Sequence, residues 1–169
     1  MSKSSLKKAL GELTKQQLAQ MVCELYDSRR EAKEYLDYWL SPNPDKALAD
    51  YKEAVDKMFF YSTGKNRSQP AANDLRRHVK HFSSLVFDSE KTADLLLHIA
   101  ERQFEWLTRR TSGYMQAEKA VRRALKQAAD YIESAALEEQ FGLRLGRLTE
   151  KVDKFYRNPP QPRRRWWRG

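Results

Sequence analysis

The sequence is poor in cysteine, glycine and proline, and each shortage excludes or favours particular structural features. Cys23 is the only cysteine among 169 residues, which excludes an intrachain disulfide and a four-cysteine zinc site. Its place beside Val22 in an amphipathic segment predicts that its side chain is buried and packs in the core. Glycine and proline occur six times each, mostly between periodic segments, which is typical of long helices.

Long apolar runs and familiar catalytic motifs are also missing. No stretch approaches the roughly 18–20 apolar residues that a membrane span requires. The first eight residues lack the apolar centre of a secretion signal, so the expected location is the cytoplasm. The sequence contains no glycine-rich phosphate loop and no Gly-x-Ser-x-Gly elbow. These shortages favour a non-enzymatic protein without a cofactor.

The apolar residues that are present recur at the helical period throughout the chain. This pattern predicts an all-α fold of seven or eight helices in an irregular stack of antiparallel hairpins. The expected domains are a helical domain at 1–157 and a flexible tail rich in proline, arginine and tryptophan at 158–169. The predicted helices cover approximately 4–12, 15–27, 29–40, 44–62, 71–85, 89–111, 114–133 and 136–157.

Capping residues and apolar stripes refine this prediction. Thr14 and Gln17 have the spacing of a capping box at the start of the second helix. The helix at 89–111 is apolar on two sides, which predicts a position at the centre of the fold. Tyr35 and Trp39 lie on the apolar stripe of the third helix. We expect them to pack in the core, with an exposed aromatic partner site as the alternative.

Positive charge is concentrated at the C-terminus. Five of the nine net positive charges lie in the last thirteen residues, which contain no acid. Guanidinium groups beside indole rings suit a phosphate backbone with unpaired bases, an anionic membrane surface or an acidic protein groove. A tail without a specific partner is the simpler interpretation. The candidate residues for binding an anionic partner are Arg157, Arg163, Arg164, Arg165, Trp166, Trp167 and Arg168.

Basic residues also share helix faces within the body. Such faces are usually plain solvated surface, but together they would form a phosphate-binding patch if the fold made them converge. The candidates on the fifth helix are Arg76, Arg77 and Lys80. Those at the end of the sixth helix are Arg109 and Arg110. Those on the seventh helix are Lys119, Arg122, Arg123 and Lys126.

The three histidines do not have the spacing of a metal site. His78 and His81 flank the apolar stripe of the fifth helix, and His98 lies one turn from both Asp94 and Glu101. The sequence contains no His-Glu-x-x-His motif and no pair of Glu-x-x-His motifs. We therefore expect boundary histidines and no bound metal.

Several segments together carry a family resemblance: 18–26, 32–44, 51–52, 59–60, Phe82, 94–97 and Glu101, with weaker similarity over 118–153. They resemble a bacterial helical family known only as a domain of unknown function. The resemblance implies an all-α fold in a bacterial protein and implies no activity. Where that family tends to have an acidic stretch after the central helix, this chain has residues 109–112, Arg-Arg-Thr-Ser.

These observations support three hypotheses of different classes. The first is a non-enzymatic binding or adaptor protein that uses its helices as a scaffold for a protein partner. The alternative is a nucleic-acid-binding protein that contacts the phosphate backbone of RNA or DNA with its basic helix faces and the Arg-Trp tail. The third is an enzyme of an unrecognised type.

Overall fold

The computed structural model describes residues 2–110 and 114–158, and this part of the chain is helical as predicted. It contains eight helices and no strand beyond an isolated antiparallel bridge between Phe60 and Asn66. No helix in this part combines the length and apolar character that crossing a bilayer requires. The helices are α1 (Lys3–Gly11), α2 (Lys15–Ser28), α3 (Arg30–Leu40), α4 (Pro44–Phe59), α5 (Ala72–Leu85), α6 (Ser89–Thr108), α7 (Tyr114–Ser134) and α8 (Glu138–Arg157).

The helix ends follow from local sequence. Thr14 and Gln17 form the predicted capping box, in which Gln17 N donates to Thr14 Oγ1 at 3.2 Å and Thr14 N donates to Gln17 Oε1 at 2.8 Å. Asp88 caps α6 by accepting a hydrogen bond from Lys91 N. α4 ends at Phe59, three residues before its predicted end, because the chain turns there. Gly64 takes the positive φ that this turn requires.

By its internal contacts the chain divides into two compact units, Met1–Asn43 and Pro44–Gly169. In the first unit α2 packs against α3, and Tyr26 Oη donates a hydrogen bond to Asp37 Oδ1 at 3.0 Å. None of its described residues is buried. The expected domain boundary between residues 157 and 158 stays a prediction.

In the second unit the other four helices pack around α6, which confirms its predicted central position. Leu95, Leu97 and Leu107 of α6 are fully buried, and so is Trp106. The indole Nε1 of Trp106 donates to the carbonyl oxygen of Arg67 at 2.8 Å, so its polar atom is satisfied inside the core. Burying an apolar side chain of this kind contributes about 1.5–3 kcal/mol.

Two expectations about burial are wrong, and both concern the first unit. Trp39 is 67% exposed and Tyr35 is also exposed, although both lie on the apolar stripe of α3. Cys23 is exposed as well. Helical periodicity shows which face of a helix is apolar but not whether another element covers it. Two short packed helices bury only part of each other's stripe.

Candidate functional site

Charged side chains from three helices meet over one face of α6. Arg144 of α8 donates through Nη1 to Asp94 Oδ1 at 2.5 Å, and through Nε and Nη2 to the two carboxylate oxygens of Glu101 at 2.8 and 2.7 Å. Lys52 of α4 donates to the second oxygen of Asp94 at 2.7 Å. The two parallel bonds to Glu101 are the strong bidentate form of an arginine–carboxylate pair. We call Lys52, Asp94, Glu101 and Arg144 the α6 clasp.

The α6 clasp keeps its carboxylates ionised. Burial alone would raise the pKa of Asp94, but hydrogen bonds from Lys52 and Arg144 outweigh it and lower that pKa below its ordinary value. Burial and the Arg144 hydrogen bond act on Glu101 in the same way, and its pKa is also lowered. The bond to Glu101 raises the pKa of Arg144. Two ionised carboxylates held by cations join helices well but are poor general bases at neutral pH.

A second row of polar contacts continues along α6. The His98 Nε2 atom lies 2.8 Å from Asp56 Oδ1 of α4. Burial lowers the pKa of His98 and outweighs the opposing effect of Asp56, so the imidazole is neutral at pH 7 and donates a hydrogen bond rather than forming an ion pair. Arg102 Nη1 contacts Glu105 Oε2 at 2.6 Å, and Arg109 binds the other oxygen of Glu105. The contact between His98 and Asp56 therefore joins α4 to α6, whereas the two pairs of Glu105 lie within α6 and its C-terminal cap.

The other two histidines contact α4. His78 Nε2 donates to the carbonyl oxygen of Tyr51 at 3.0 Å, and burial lowers the pKa of His78. His81 Nδ1 is hydrogen-bonded to the Tyr51 hydroxyl at 2.6 Å. The acids near His98 in sequence, Asp94 and Glu101, form ion pairs with Arg144. In the described residues no group of three or more His, Cys, Asp or Glu is arranged to bind a metal.

The structure gives several of the predicted basic residues a partner inside the protein. Arg110 lies over the Trp106 ring, 4.6 Å from its centroid. Arg76, Lys80, Lys119 and Arg123 are exposed. Convergence of these basic faces on one surface stays a prediction. The predicted cations with a carboxylate partner are Arg77 (Asp74), Arg109 (Glu105), Arg122 (Glu118 and Asp153) and Lys126 (Asp130).

The candidate tail residues are almost all outside the described part of the chain. Arg157, the last residue of α8, is described and exposed. Arg163, Arg164, Arg165, Trp166, Trp167 and Arg168 lie beyond residue 158, and their role stays a prediction. The end of α8 nevertheless shows where these residues join the body.

The sequence analysis missed the cations of α8. Arg144, Arg147, Lys151 and Lys154 recur at helical spacing on one face, and this regularity was the available signal. The acids Glu150 and Asp153 lie between them in sequence and hide the pattern, and Glu150 is three residues from Arg147 and four from Lys154. Arg144 is used in the α6 clasp, and the other three point to solvent.

The first unit presents an apolar surface. Large hydrophobic side chains remain exposed on both of its packed helices, and most of them lie three or four residues from another. We call these residues the hairpin face. They are Met21, Val22 and Leu25 on α2 and Tyr35, Trp39 and Leu40 on α3.

A family model matches almost all of the chain. Residues 1–159 fit the model described as a family of unknown function (DUF6155). The chain belongs to this family. The resemblance to an uncharacterised domain family is thereby confirmed, and membership assigns no activity. No curated protein and no solved structure matches the chain.

Proposed function

We propose that the protein is a non-enzymatic binding or adaptor protein and that the hairpin face holds a protein partner. The observation that carries this proposal is the concentration of exposed apolar side chains in one small unit. The hairpin face contains six of the ten large hydrophobic residues that are exposed in the described chain. Such a cluster is typical of an interaction surface, whereas scattered exposed hydrophobics are ordinary.

The arrangement of the hairpin face suits an amphipathic helix of another protein. Met21 and Leu25 are four residues apart on α2, and Tyr35 and Trp39 have the same spacing on α3. An amphipathic helix of a partner binds such apolar positions with its own apolar stripe. Tryptophan and tyrosine are enriched among the residues that dominate binding energy, and Trp39 is the most exposed aromatic of this unit.

Charged side chains are also present on α3, which carries part of this apolar surface. Arg30 pairs with Glu34 at 2.8 Å, and Lys33 lies over the ring of Tyr26. A polar rim around an apolar centre is the usual anatomy of an interface. In the second unit, by contrast, the charges of the α6 clasp pair with one another and support the packing of α4 and α8 on α6. A bacterial and cytoplasmic setting, expected from the sequence, stays a prediction.

The exposed Cys23 allows a site-specific test of the hairpin face. The purified full chain would be labelled at Cys23 with a photo-crosslinker and irradiated in a cell extract, as wild type and as the double variant Tyr35→Ala/Trp39→Ala. The matched control is Phe87→Ala/Leu143→Ala, which removes two exposed apolar side chains from the second unit. We expect a defined crosslinked partner with the wild type and the control. The Tyr35/Trp39 variant should give at least tenfold less of this crosslinked product.

Two results would contradict the adaptor role. Equal yields from the Tyr35/Trp39 variant and the control would show that the hairpin face does not bind the partner. A crosslinked dimer of the purified chain that needs Trp39 would show that a second copy covers the face.

A further inference from the structure

An open groove lies between α6 and α8 in the second unit and has a volume of about 750 Å³. Its α8 side includes Leu143, Arg147 and Lys151, which follow one another at intervals of four residues and therefore lie on one face of the helix. At 1.5 Å rise per residue they extend over about 12 Å. All three are exposed, and Leu143 is 75% exposed. We call these three residues the groove row.

The acids that line the groove are already paired with cations. Both carboxylate oxygens of Glu101 accept hydrogen bonds from Arg144, and Glu105 pairs with Arg102 at 2.6 Å. All four of these residues belong to the lining of the groove. The positive charges of the groove row are therefore not offset by these carboxylates, and the groove is positively charged along its α8 side.

Arg147 and Lys151 form no ion pair among the described residues. Glu150 is close to both in sequence, but it lines a separate groove of α8. The groove row is thus an exposed leucine followed by two cations that have no carboxylate partner. A matching ligand needs an apolar group at one end and anionic groups about one and two helical turns away.

We propose that the groove row binds an acidic amphipathic helix of a partner protein. An α-helix presents residues four positions apart on one face, so a leucine and two glutamates at this spacing can contact Leu143, Arg147 and Lys151 in turn. Arginine binds carboxylates bidentately, and the partly buried ring of Phe104 adds apolar surface to the groove. The groove row belongs to the second unit, so this proposal does not rest on the hairpin face.

The leucine of the groove row favours a protein helix over a nucleic acid. A nucleic acid carries a phosphate at every nucleotide, and proteins that bind it neutralise several phosphates with lysine and arginine. The groove row provides two cations and places an exposed leucine in line with them. Apolar side chains with charged groups at their edge are the usual composition of a protein interface.

Selection from a displayed peptide library tests the proposal, with the purified full chain as bait. The library consists of alanine-rich peptides of about 16 residues, which is long enough for a helix to form. Three positions at four-residue intervals are randomised among leucine, glutamine, lysine and glutamate. We expect enrichment of peptides with leucine at one end position and glutamate at the other two. The charge-reversed variant Arg147→Glu/Lys151→Glu should enrich lysine at those two positions instead.

Fluorescence anisotropy with the labelled, selected peptide then measures how much each side chain contributes to affinity. Arg147→Gln/Lys151→Gln should weaken binding about tenfold, because each exposed ion pair contributes a few-fold. Leu143→Ala should also weaken binding about tenfold, since its contact with the leucine of the peptide is lost. The matched control, Arg76→Gln/Lys80→Gln, removes the same residue types at the same spacing from exposed sites on α5. It should bind within about twofold of the wild type.

Several results would overturn the proposal. One is a selection without preference at the three positions, and another is an equal loss of affinity in the control variant. A single-stranded oligonucleotide that displaces the labelled peptide at a lower concentration than the unlabelled peptide does would assign the groove row to a nucleic acid instead. Loss of peptide binding in Tyr35→Ala/Trp39→Ala would show that the peptide binds the hairpin face. Because the groove row is exposed, circular dichroism of its variants should match that of the wild type.

Discussion

Removing Arg144 should destabilise the second unit, because one side chain holds two carboxylates of α6. In Arg144→Gln the bidentate bonds to Glu101 and the bond to Asp94 are lost, and no other cation of the described residues forms an ion pair with Glu101. Breaking a fully buried ion pair costs about 3–5 kcal/mol, whereas an exposed pair contributes about 0.2–1 kcal/mol. The three side chains are 23–35% exposed, so an intermediate loss of about 2 kcal/mol is expected.

Urea unfolding of the full chain, followed by the helical circular dichroism signal, measures this loss. Arg147→Gln is the matched control, since Arg147 lies one turn further along α8 and its exposed side chain makes no ion pair among the described residues. The control should change the free energy of unfolding by less than about 0.5 kcal/mol. Arg144→Lys should give an intermediate loss, because an ammonium cannot form the bidentate bonds. Equal stabilities of Arg144→Gln and Arg147→Gln would refute a stabilising role for the α6 clasp.

Three further predictions concern burial and protonation. The lowered pKa of His98 means that the unfolded chain binds its proton more readily, so stability falls as the pH drops below about 6.5. His98→Gln should reduce the fall in the urea concentration at the unfolding midpoint between pH 7.5 and pH 5.5. An unchanged fall would contradict the inference that protonation of His98 destabilises the folded protein. Phe82→Ala should cost about 3–5 kcal/mol of unfolding free energy because its ring is fully buried. Phe87→Ala should cost almost nothing, since Phe87 is 87% exposed. Cys23 should react with a thiol reagent in the native protein within about fivefold of its unfolded rate, as expected of an exposed thiol. Modification only after addition of denaturant would show that Cys23 is buried.

The sequence alone determined the helices and the central position of α6. Capping and periodicity act between residues a few positions apart, as the bonds between Thr14 and Gln17 show. A helix that is apolar on two sides must be enclosed, whichever helices enclose it. This is why the burial of Leu95 and Trp106 could be predicted without knowing what packs against them.

Only the tertiary structure decided which faces are covered and which charges meet. Arg144 binds carboxylates that are 43 and 50 residues away in sequence, and helical spacing contains no information about such distant pairing. The same limit explains why Trp39 and Cys23 were expected to be buried. Whether an apolar helix face is buried depends on which other helices pack against it. That packing involves whole helices and cannot be read from the local spacing of residues. The fold class was therefore set by local interactions. The α6 clasp and the exposure of the hairpin face were set by the packing of helices against one another.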